Sequence, residues 1–124
     1  MSIYLFQLAA QKAEWLSARQ TAIASNVANA NTPGYRAIDV APFAAVLDKA
    51  PMVMAATSSR HLAPSSFSEA SYREIEAAGG EATLSGNTVS LEQQMIALGD
   101  VSRDFTMTAN VRRAFHQLLM SALK

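Results

Sequence analysis

The sequence predicts a mainly α-helical protein whose long N- and C-terminal helices form a coiled-coil-like hairpin, joined by a largely irregular connector. Near both ends of the 124-residue chain, apolar residues recur at alternating spacings of four and three, the pattern of helix-on-helix packing. Prolines, glycines and serines interrupt every such pattern in the middle. Half of the residues are hydrophobic but only 7% are aromatic, a composition that suits close helix packing better than a bulky β core.

These patterns divide the chain into three parts. Residues 1–35 contain the N-terminal helix and the turn that ends it, and residues 36–86 form the connector. Residues 87–124 contain the C-terminal helix, which is predicted to form one domain with the N-terminal helix. A chain of this length is large enough for one domain with a core.

The N-terminal helix is predicted over residues 3–30. Its main seam is apolar at all positions but one: Phe6, Ala9, Ala13, Leu16, Gln20, Ile23, Val27 and Ala30. A second, weaker stripe contains Leu5, Leu8, Trp15 and Ala22. Two stripes predict contact with more than one neighbouring helix. The alternative is an ordinary buried helix in a monomeric bundle.

The segment Ala24–Tyr35 ends this helix and turns the backbone sharply. Asn31 is predicted to be the left-handed residue that caps the helix. Pro33 disfavours helical geometry before it and fixes its own φ. Gly34 tolerates a positive φ, so Pro33 and Gly34 fit the centre of a type II turn.

The connector is predicted to be mostly irregular. Residues 40–47 suggest a short helix with Pro42 in its first turn, and residues 52–56 form a short apolar run, a strand or a strap across the helices. Residues 68–78 have moderate helical character. A loop this long counts against a self-contained hairpin, so we expect other subunits to help to order it.

The C-terminal helix is predicted from about Leu91 to Leu123, opened by a capping box of Ser90 and Gln93. Its seam follows the same spacing: Leu91, Met95, Leu98, Ser102, Phe105, Ala109, Arg112, His116, Leu119 and Leu123. The two helices are able to pair parallel or antiparallel. One pair does not bury two stripes on each helix, so the remaining apolar surface predicts association with further chains.

Several functional classes lack support in the sequence. The formal net charge is zero, which implies no general attraction to nucleic acid. The absence of cysteine excludes disulfides and thiolate metal sites, and neither His61 nor His116 has a carboxylate at metal-ligand spacing. We therefore expect no catalytic, cofactor-binding or metal-binding residues.

Two alternatives to an assembly subunit remain open. One is a cytosolic helical adaptor or export chaperone. The other is a peripheral membrane-binding helical protein, since Arg112, Arg113 and Phe115 give the last helix modest basic amphipathicity. No apolar run reaches the roughly 18–20 residues that span a bilayer. The first residues lack the basic region and cleavage site of a secretory signal.

Two motifs resemble those of a known family. The segment Ala24–Arg36, ASNVANANTPGYR, resembles the N-terminal signature of the bacterial flagellar rod and hook proteins. The segment Gly86–Glu92, GNTVSLE, resembles the start of their C-terminal helix. The short middle of the chain argues against the distal rod and hook members, which carry larger inserted β domains. Among the proximal rod members, the segment Arg60–Leu62 and the start Gly86–Val89 resemble one of two sister proteins more than the other.

The resemblance implies a non-enzymatic structural subunit of the proximal rod in the flagellar basal body. Such subunits pass as unfolded or loosely folded chains through the flagellar type III export apparatus without a cleaved signal, and they assemble in the periplasm. Their helices form the inner layer of a hollow rod that links the membrane ring and export gate to the distal rod and transmits torque. The implied partners are other copies, sister proximal rod proteins, the ring-rod junction protein and the export gate, with no nucleic acid, small-molecule substrate or cofactor.

Two sets of residues are expected to serve this assembly. The assembly motif comprises Asn26, Asn29, Asn31, Pro33, Gly34 and Tyr35. The helix seams comprise Leu16, Ile23, Val27, Leu91, Met95, Leu98, Phe105 and Leu119. An isolated subunit is expected to be only weakly helical and to gain order on association.

Overall fold

A computed structural model describes residues 2–47 and 72–123. The elements, in chain order, are α1 (Ser2–Ala28), β1 (Ile38–Val40), α2 (Phe43–Leu47), β2 (Glu74–Glu76) and α3 (Leu91–Ala122). Both long helices end within two residues of their predicted limits. The predicted fold class, mainly α with long terminal helices and a connector, is confirmed. No helix in the described part of the chain is both long and apolar enough to cross a membrane.

The two long helices pair antiparallel within one chain. Near one end, the rings of Phe6 and Phe115 meet edge to face with centroids 5.6 Å apart. Further along, Lys12 Nζ lies 3.7 Å from Asp104 Oδ2. Between these helices the buried core centres on Leu16, which has no exposed surface. The hairpin therefore has an open end, where the first residues of α1 meet the last of α3, and a closed end, where α1 ends and α3 begins.

The second stripe of α1 is covered by the chain's own connector at Trp15 but stays half-exposed at Leu5 and Leu8. Trp15 and Ala22 are buried. The indole Nε1 of Trp15 donates to the carbonyl oxygen of Ala41 at 2.8 Å, and its ring lies 5.9 Å from that of Phe43 in α2. A salt bridge of 3.1 Å joins Arg19 on the same side of α1 to Asp39 in β1. Trp15 and Arg19 of α1 thus contact the segment that contains β1 and α2, which was not predicted to cover this side of the helix.

The connector contains a two-stranded antiparallel sheet, β1–β2, in which Asp39 lies opposite Ile75. The sequence predicted helical character over residues 68–78. In the described part of that range this prediction is wrong, because residues 74–76 satisfy their backbone by pairing with β1. Such pairing between residues far apart in sequence overrides weak local propensity.

The predicted short helix at residues 40–47 forms, but it begins three residues later. Val40 belongs to β1, and α2 starts at Phe43, after Pro42. The carbonyl oxygen of Pro42 accepts the N–H of Ala45 at 2.9 Å. The apolar run at residues 52–56 and the segment at residues 60–62 lie outside the described residues.

Candidate assembly site

The two sequence motifs meet at the closed end of the hairpin, and we call their contact region, residues 24–37 with residues 85–89, the junction. Backbone hydrogen bonds tie them together, from Thr88 N to the Tyr35 oxygen at 3.0 Å and from Gly34 N to the Ser85 oxygen at 2.9 Å. The N–H of Ala37 donates to Thr88 Oγ1 at 2.9 Å. Residues about 50 positions apart therefore form one local structure, which sets the direction in which the chain leaves α1 and enters α3.

Asn26 is the buried centre of the junction, with 1% of its surface exposed. Its side-chain Nδ2 donates to the Ile38 carbonyl oxygen at 2.7 Å and to Gln94 Oε1 at 2.9 Å. Its Oδ1 accepts the Ile38 N–H at 2.9 Å and the Tyr35 hydroxyl at 3.4 Å. One amide thus connects α1 to β1, to the turn and to α3.

Asn87 is a second buried amide, and it was not among the predicted site residues. Its Nδ2 donates to the carbonyl oxygens of Asn29 at 2.9 Å and Thr32 at 2.8 Å. Its Oδ1 accepts the N–H of Val89 at 2.7 Å. Asn87 therefore caps carbonyls just after the end of α1 from the other half of the chain. The Gly86–Val89 pattern marked the opening of α3 but gave no sign of this contact.

The other two asparagines of the first motif have smaller roles. Asn29 Nδ2 donates to the Ser25 carbonyl oxygen at 2.9 Å, and its Oδ1 accepts from Thr32 Oγ1 at 3.2 Å. Asn31 is exposed. The prediction that Asn31 adopts a left-handed conformation is wrong, because within the described residues only glycines have a positive φ. The carbonyl oxygens at this helix end are instead bonded by the side chain of Asn87 and by the backbone N–H groups of Asn29 and Ala30.

The predicted turn at Pro33 and Gly34 is confirmed. The N–H of Tyr35 donates to the Thr32 carbonyl oxygen at 3.2 Å, and Gly34 has a φ of 72°, as the third position of a type II turn requires. The Tyr35 hydroxyl lies 3.2 Å from Ser25 Oγ and thereby attaches the Pro33–Gly34 turn to the last helical turn of α1.

The predicted capping box at the start of α3 forms only in part. Ser90 Oγ accepts the N–H of Gln93 at 3.4 Å, as expected of an N-cap. The Gln93 side-chain Nε2, however, donates to the Gly79 carbonyl oxygen at 3.4 Å, and its Oε1 does not accept the N–H of Ser90. The side chain thereby ties the loop after β2 to α3.

The residues predicted to form helix seams divide into two groups. Those in contact with the chain's own core are Leu16, Ile23 and Phe105, with Leu119 half-buried further along α3. The exposed group is Val27, Leu91, Met95 and Leu98. Met95 is the most exposed of the four, at 74%. A strict seven-residue spacing drifts by about 20° per heptad on a straight helix. Over the 32 residues of α3 the seam therefore turns by roughly 90°, from a solvent-facing flank to the face against α1.

Further large apolar side chains are exposed on α3: Ile96, Met107, Val111, Leu118 and Met120. The described residues contain no group of histidine, aspartate and glutamate side chains able to hold a metal ion. Every buried side-chain nitrogen and oxygen atom described has a hydrogen-bond partner. The polar side chains of the junction thus bond to one another within the chain, while apolar side chains beside it on α3 stay exposed. This arrangement is suited to contact between proteins.

Comparison with known proteins identifies the family. A family model described as flagella basal body rod protein matches residues 8–36, which span most of α1 and the turn. The flagellar basal body rod protein FlgB of Agrobacterium fabrum is 38% identical over 126 residues, covering 98% of this chain and 94% of the relative. FlgB of Salmonella typhimurium is 29% identical over 115 residues, covering 86% and 83%. The chain therefore belongs to the FlgB family of flagellar basal body rod proteins.

Proposed function

We propose that this rod protein is a non-enzymatic subunit of the proximal rod that packs by its helices into a hollow axial structure. That structure links the membrane ring and the export gate to the distal rod and transmits torque. The observation that carries this proposal is the exposed flank of α3 at Leu91, Met95 and Leu98. It lies beside the junction and has the apolar character of a helix-packing seam.

The junction suits a part that carries mechanical load. It connects α1, the turn, β1 and α3 through buried amides with short hydrogen bonds. Buried polar networks that are fully satisfied make a structure rigid. A rigid junction holds the exposed flank of α3 in a fixed orientation relative to α1, which a torque-transmitting subunit needs.

We further propose that the partners are other copies of this chain, sister proximal rod proteins, the ring-rod junction protein and the export gate. The subunit works in the periplasmic part of the basal body and reaches it through the flagellar export apparatus without a cleaved signal. It uses neither nucleic acid nor a small-molecule substrate. Membership of the rod family disfavours a cytosolic adaptor and a peripheral membrane protein.

Fractionation of cells that express a tagged full-length chain tests this proposal. We expect the tag in purified basal bodies, and we expect deletion of the gene to abolish motility and rod assembly. Recovery of a stable, soluble dimer in the cytosol with no basal-body fraction would support the adaptor instead. Co-sedimentation with liposomes at physiological salt, again without basal-body recovery, would support the membrane-binding alternative.

A further inference from the structure

Over the first part of α3, the face turned toward α1 is less apolar than the flank beside it. The covered face contains a polar, a small and a β-branched side chain: Gln94, Ala97 and Val101. The exposed flank contains three large apolar side chains: Leu91, Met95 and Leu98. Burial of apolar surface stabilises a fold roughly in proportion to the area removed from water. Apolar burial alone would therefore favour a hairpin in which the flank faces α1.

A rotation of α3 about its own axis would exchange these two faces. Successive residues of an α-helix lie about 100° apart around the axis. Met95 therefore follows Gln94 by one such step, and exposed Ser102 follows buried Val101 by another. The seven-residue spacing is satisfied equally by a flank that packs on the chain's own α1 and by a flank left free for another chain. A specific contact has to decide between the two orientations.

A buried amide pair opposes the rotation. Asn26 Nδ2 donates to Gln94 Oε1 at 2.9 Å, and Gln94 is only 6% exposed. Within residues 2–47 and 72–123, this is the one hydrogen bond that joins a side chain of α1 to a side chain of α3. Rotation of α3 would carry Gln94 away and leave an N–H of Asn26 buried without an acceptor. An unpaired polar group is costly in a site closed to water.

The rest of the structure holds Asn26 in place but does not hold α3 in the same way. The Asn26 amide also bonds both backbone groups of Ile38, and these bonds do not depend on the orientation of α3. In the described part of the chain, the other polar side-chain contact between the two helices joins Lys12 to Asp104 at 3.7 Å. This ion pair is long and partly exposed, so it contributes little. Gln94 is therefore the polar side chain whose position depends most on the rotation of α3.

We propose that Gln94 is a positioning residue, which fixes the rotation of α3 and keeps the assembly flank exposed in the free subunit. Without an acceptor at position 94, the Asn26 N–H is unpaired in either orientation, so the apolar flank decides. The helix then turns and buries Met95 and Leu98 against its own α1. The subunit stays helical but loses the surface through which it joins a rod.

This inference rests on the proposed function, and it names the residue that selects the hairpin able to assemble. Its physical basis is general, since one buried polar side chain can specify the register of packed helices at a cost in stability. In this chain the pair Asn26–Gln94 has that position, between two helices whose apolar patterns alone leave the choice open.

Two substitutions at position 94 separate the hydrogen bond from side-chain size. Gln94→Met keeps an unbranched side chain of similar length and removes the acceptor. Gln94→Glu is the matched control, because a carboxyl oxygen accepts the Asn26 N–H in either protonation state. The chain has no cysteine, so a single thiol can be added to each background as a reporter. Val101→Cys places it on the covered face, and Ser102→Cys places it on the exposed side.

The rate of thiol modification by DTNB in the purified full-length chain, measured in the cold, reports the orientation of α3, because only an exposed thiol reacts readily. With Gln94 or Gln94→Glu, the thiol at position 102 should react at least about tenfold faster than the thiol at position 101. In Gln94→Met this ratio should fall at least about tenfold, while circular dichroism shows unchanged helix content.

Four results of the thiol experiment would overturn the inference. An unchanged ratio in Gln94→Met would show that the acceptor does not set the orientation. Loss of the ratio in Gln94→Glu would show the same. Equal rates at the two positions in the Gln94 background would mean that α3 has no fixed rotation in the free chain. Loss of helix content in Gln94→Met would mean that the pair serves stability alone.

Basal bodies test the consequence for assembly. Gln94→Met should lower the amount of tagged chain in purified basal bodies several-fold, whereas Gln94→Glu should leave it near the wild-type amount. Equal recovery of the two variants, despite a changed thiol ratio, would overturn the link between orientation and assembly. Absence of the wild-type chain from basal bodies would refute the proposed function instead, and the thiol rates would still decide whether Gln94 sets the rotation of α3.

Discussion

Asn26 acts as a substitute for a third β-strand. Along an antiparallel strand, the backbone groups of successive residues point alternately to the two sides. Ala41 N bonds to Arg73 and the Ala37 carbonyl oxygen bonds to Ala77, the two residues that flank β2, so the N–H and C=O of Ile38 point away from β2. The Asn26 amide accepts from that N–H and donates to that C=O. Asn26 therefore bonds the Ile38 backbone groups on the unpaired edge of β1 and attaches this strand to α1.

Asn26→Ala is expected to lower the free energy of unfolding by about 2–3 kcal/mol, because buried backbone groups of Ile38 and the Gln94 side chain lose their partner. Asn31→Ala is the matched control. Since Asn31 is exposed, its replacement should change stability by no more than about 0.5 kcal/mol. Urea unfolding followed by circular dichroism measures both, and equal effects would contradict the assigned role of Asn26.

Gly34 and Gly99 provide opposite tests of backbone conformation. Gly34→Val should destabilise the junction by about 1–2 kcal/mol, because its φ of 72° is unfavourable for residues with a Cβ. Apart from the adjacent residues and the backbone of α3 itself, no atom lies within 4 Å of an added Cβ at either glycine, so crowding of the Cβ by other parts of the chain is not the cause. Gly99 lies in α3, and Gly99→Ala should stabilise the chain by up to about 1 kcal/mol. Urea midpoints that shift in the same direction for both variants would refute this account.

Tyr72, two residues before β2, links this part of the chain to α1, and its environment predicts a dependence on pH. Its hydroxyl lies 3.2 Å from the Gln11 carbonyl oxygen, to which it donates, and 3.4 Å from Glu14 Oε2. Burial, followed by the charge of Glu14 and the hydrogen bond to it, raises the pKa of Tyr72 above its ordinary value of 10.0. The folded state therefore keeps the proton to higher pH than the unfolded state does.

This contribution to stability is fully present below about pH 10 and is lost as pH rises through the higher folded-state pKa. The expected result is a decline in the urea midpoint above about pH 10 that is shallower in Tyr72→Phe than in the wild type. Exposed Tyr4→Phe is the control, and it should retain the steeper decline. If the urea midpoint declined equally with pH in the wild type and in Tyr72→Phe, a stabilising role for the neutral hydroxyl would be excluded.

At the scale of elements, periodic patterns predicted α1 and α3 closely, whereas the β1–β2 sheet in the connector was not predicted. A helix is encoded by residues three and four apart, so a single segment carries the signal. The sheet depends on residues such as Asp39 and Ile75, which are distant in sequence. Three-residue strands carry too few side chains for an alternating pattern. The turn at Gly34 was predictable because its chemistry is local, whereas Asn87 was missed because its partners lie on the other motif.

The seam predictions show a further limit of periodicity. A regular spacing indicates an apolar face but does not identify the neighbour that covers it. The drift along α3 separates Met95, which is exposed, from Phe105, which packs against the core. Substitutions in one predicted seam are therefore expected to act at two different stages, folding and assembly.

Ile23→Asp and Met95→Asp should separate these two stages. Ile23 is buried in the chain's own core, so a carboxylate there should cost about 3 kcal/mol or more and unfold the subunit. Met95→Asp should change the stability of the isolated chain by only about 0.5 kcal/mol and yet abolish motility and rod assembly. Asn110→Asp, on an exposed position of α3 opposite Val101, is the control and should leave motility normal. Normal motility in Met95→Asp would remove that residue from the assembly seam.

At the scale of the whole molecule, the balance between core and surface favours assembly. The buried apolar side chains of the described residues are Trp15, Leu16, Ala22, Ile23, Ala37, Val40 and Val101. The exposed large apolar side chains outnumber them, and most lie on α3. Full burial of one leucine or methionine contributes about 1.5–3 kcal/mol, so contacts between chains can stabilise the hairpin by as much as its own small core does.

The isolated full-length chain is therefore expected to be only marginally stable, with a broad thermal transition centred below about 45 °C, the lower limit for typical domains. Assembly should change this, because neighbours remove the exposed flank of α3 from water and oppose opening of the helices. Circular dichroism of the monomer gives the first half of the test. Hydrogen exchange of α3 amides in the free chain and in purified basal bodies gives the second, with slower exchange expected in the basal bodies. A cooperative monomer melting above about 65 °C, with α3 exchange unchanged on assembly, would mean that the hairpin is complete alone and that its exposed seam is not a packing surface.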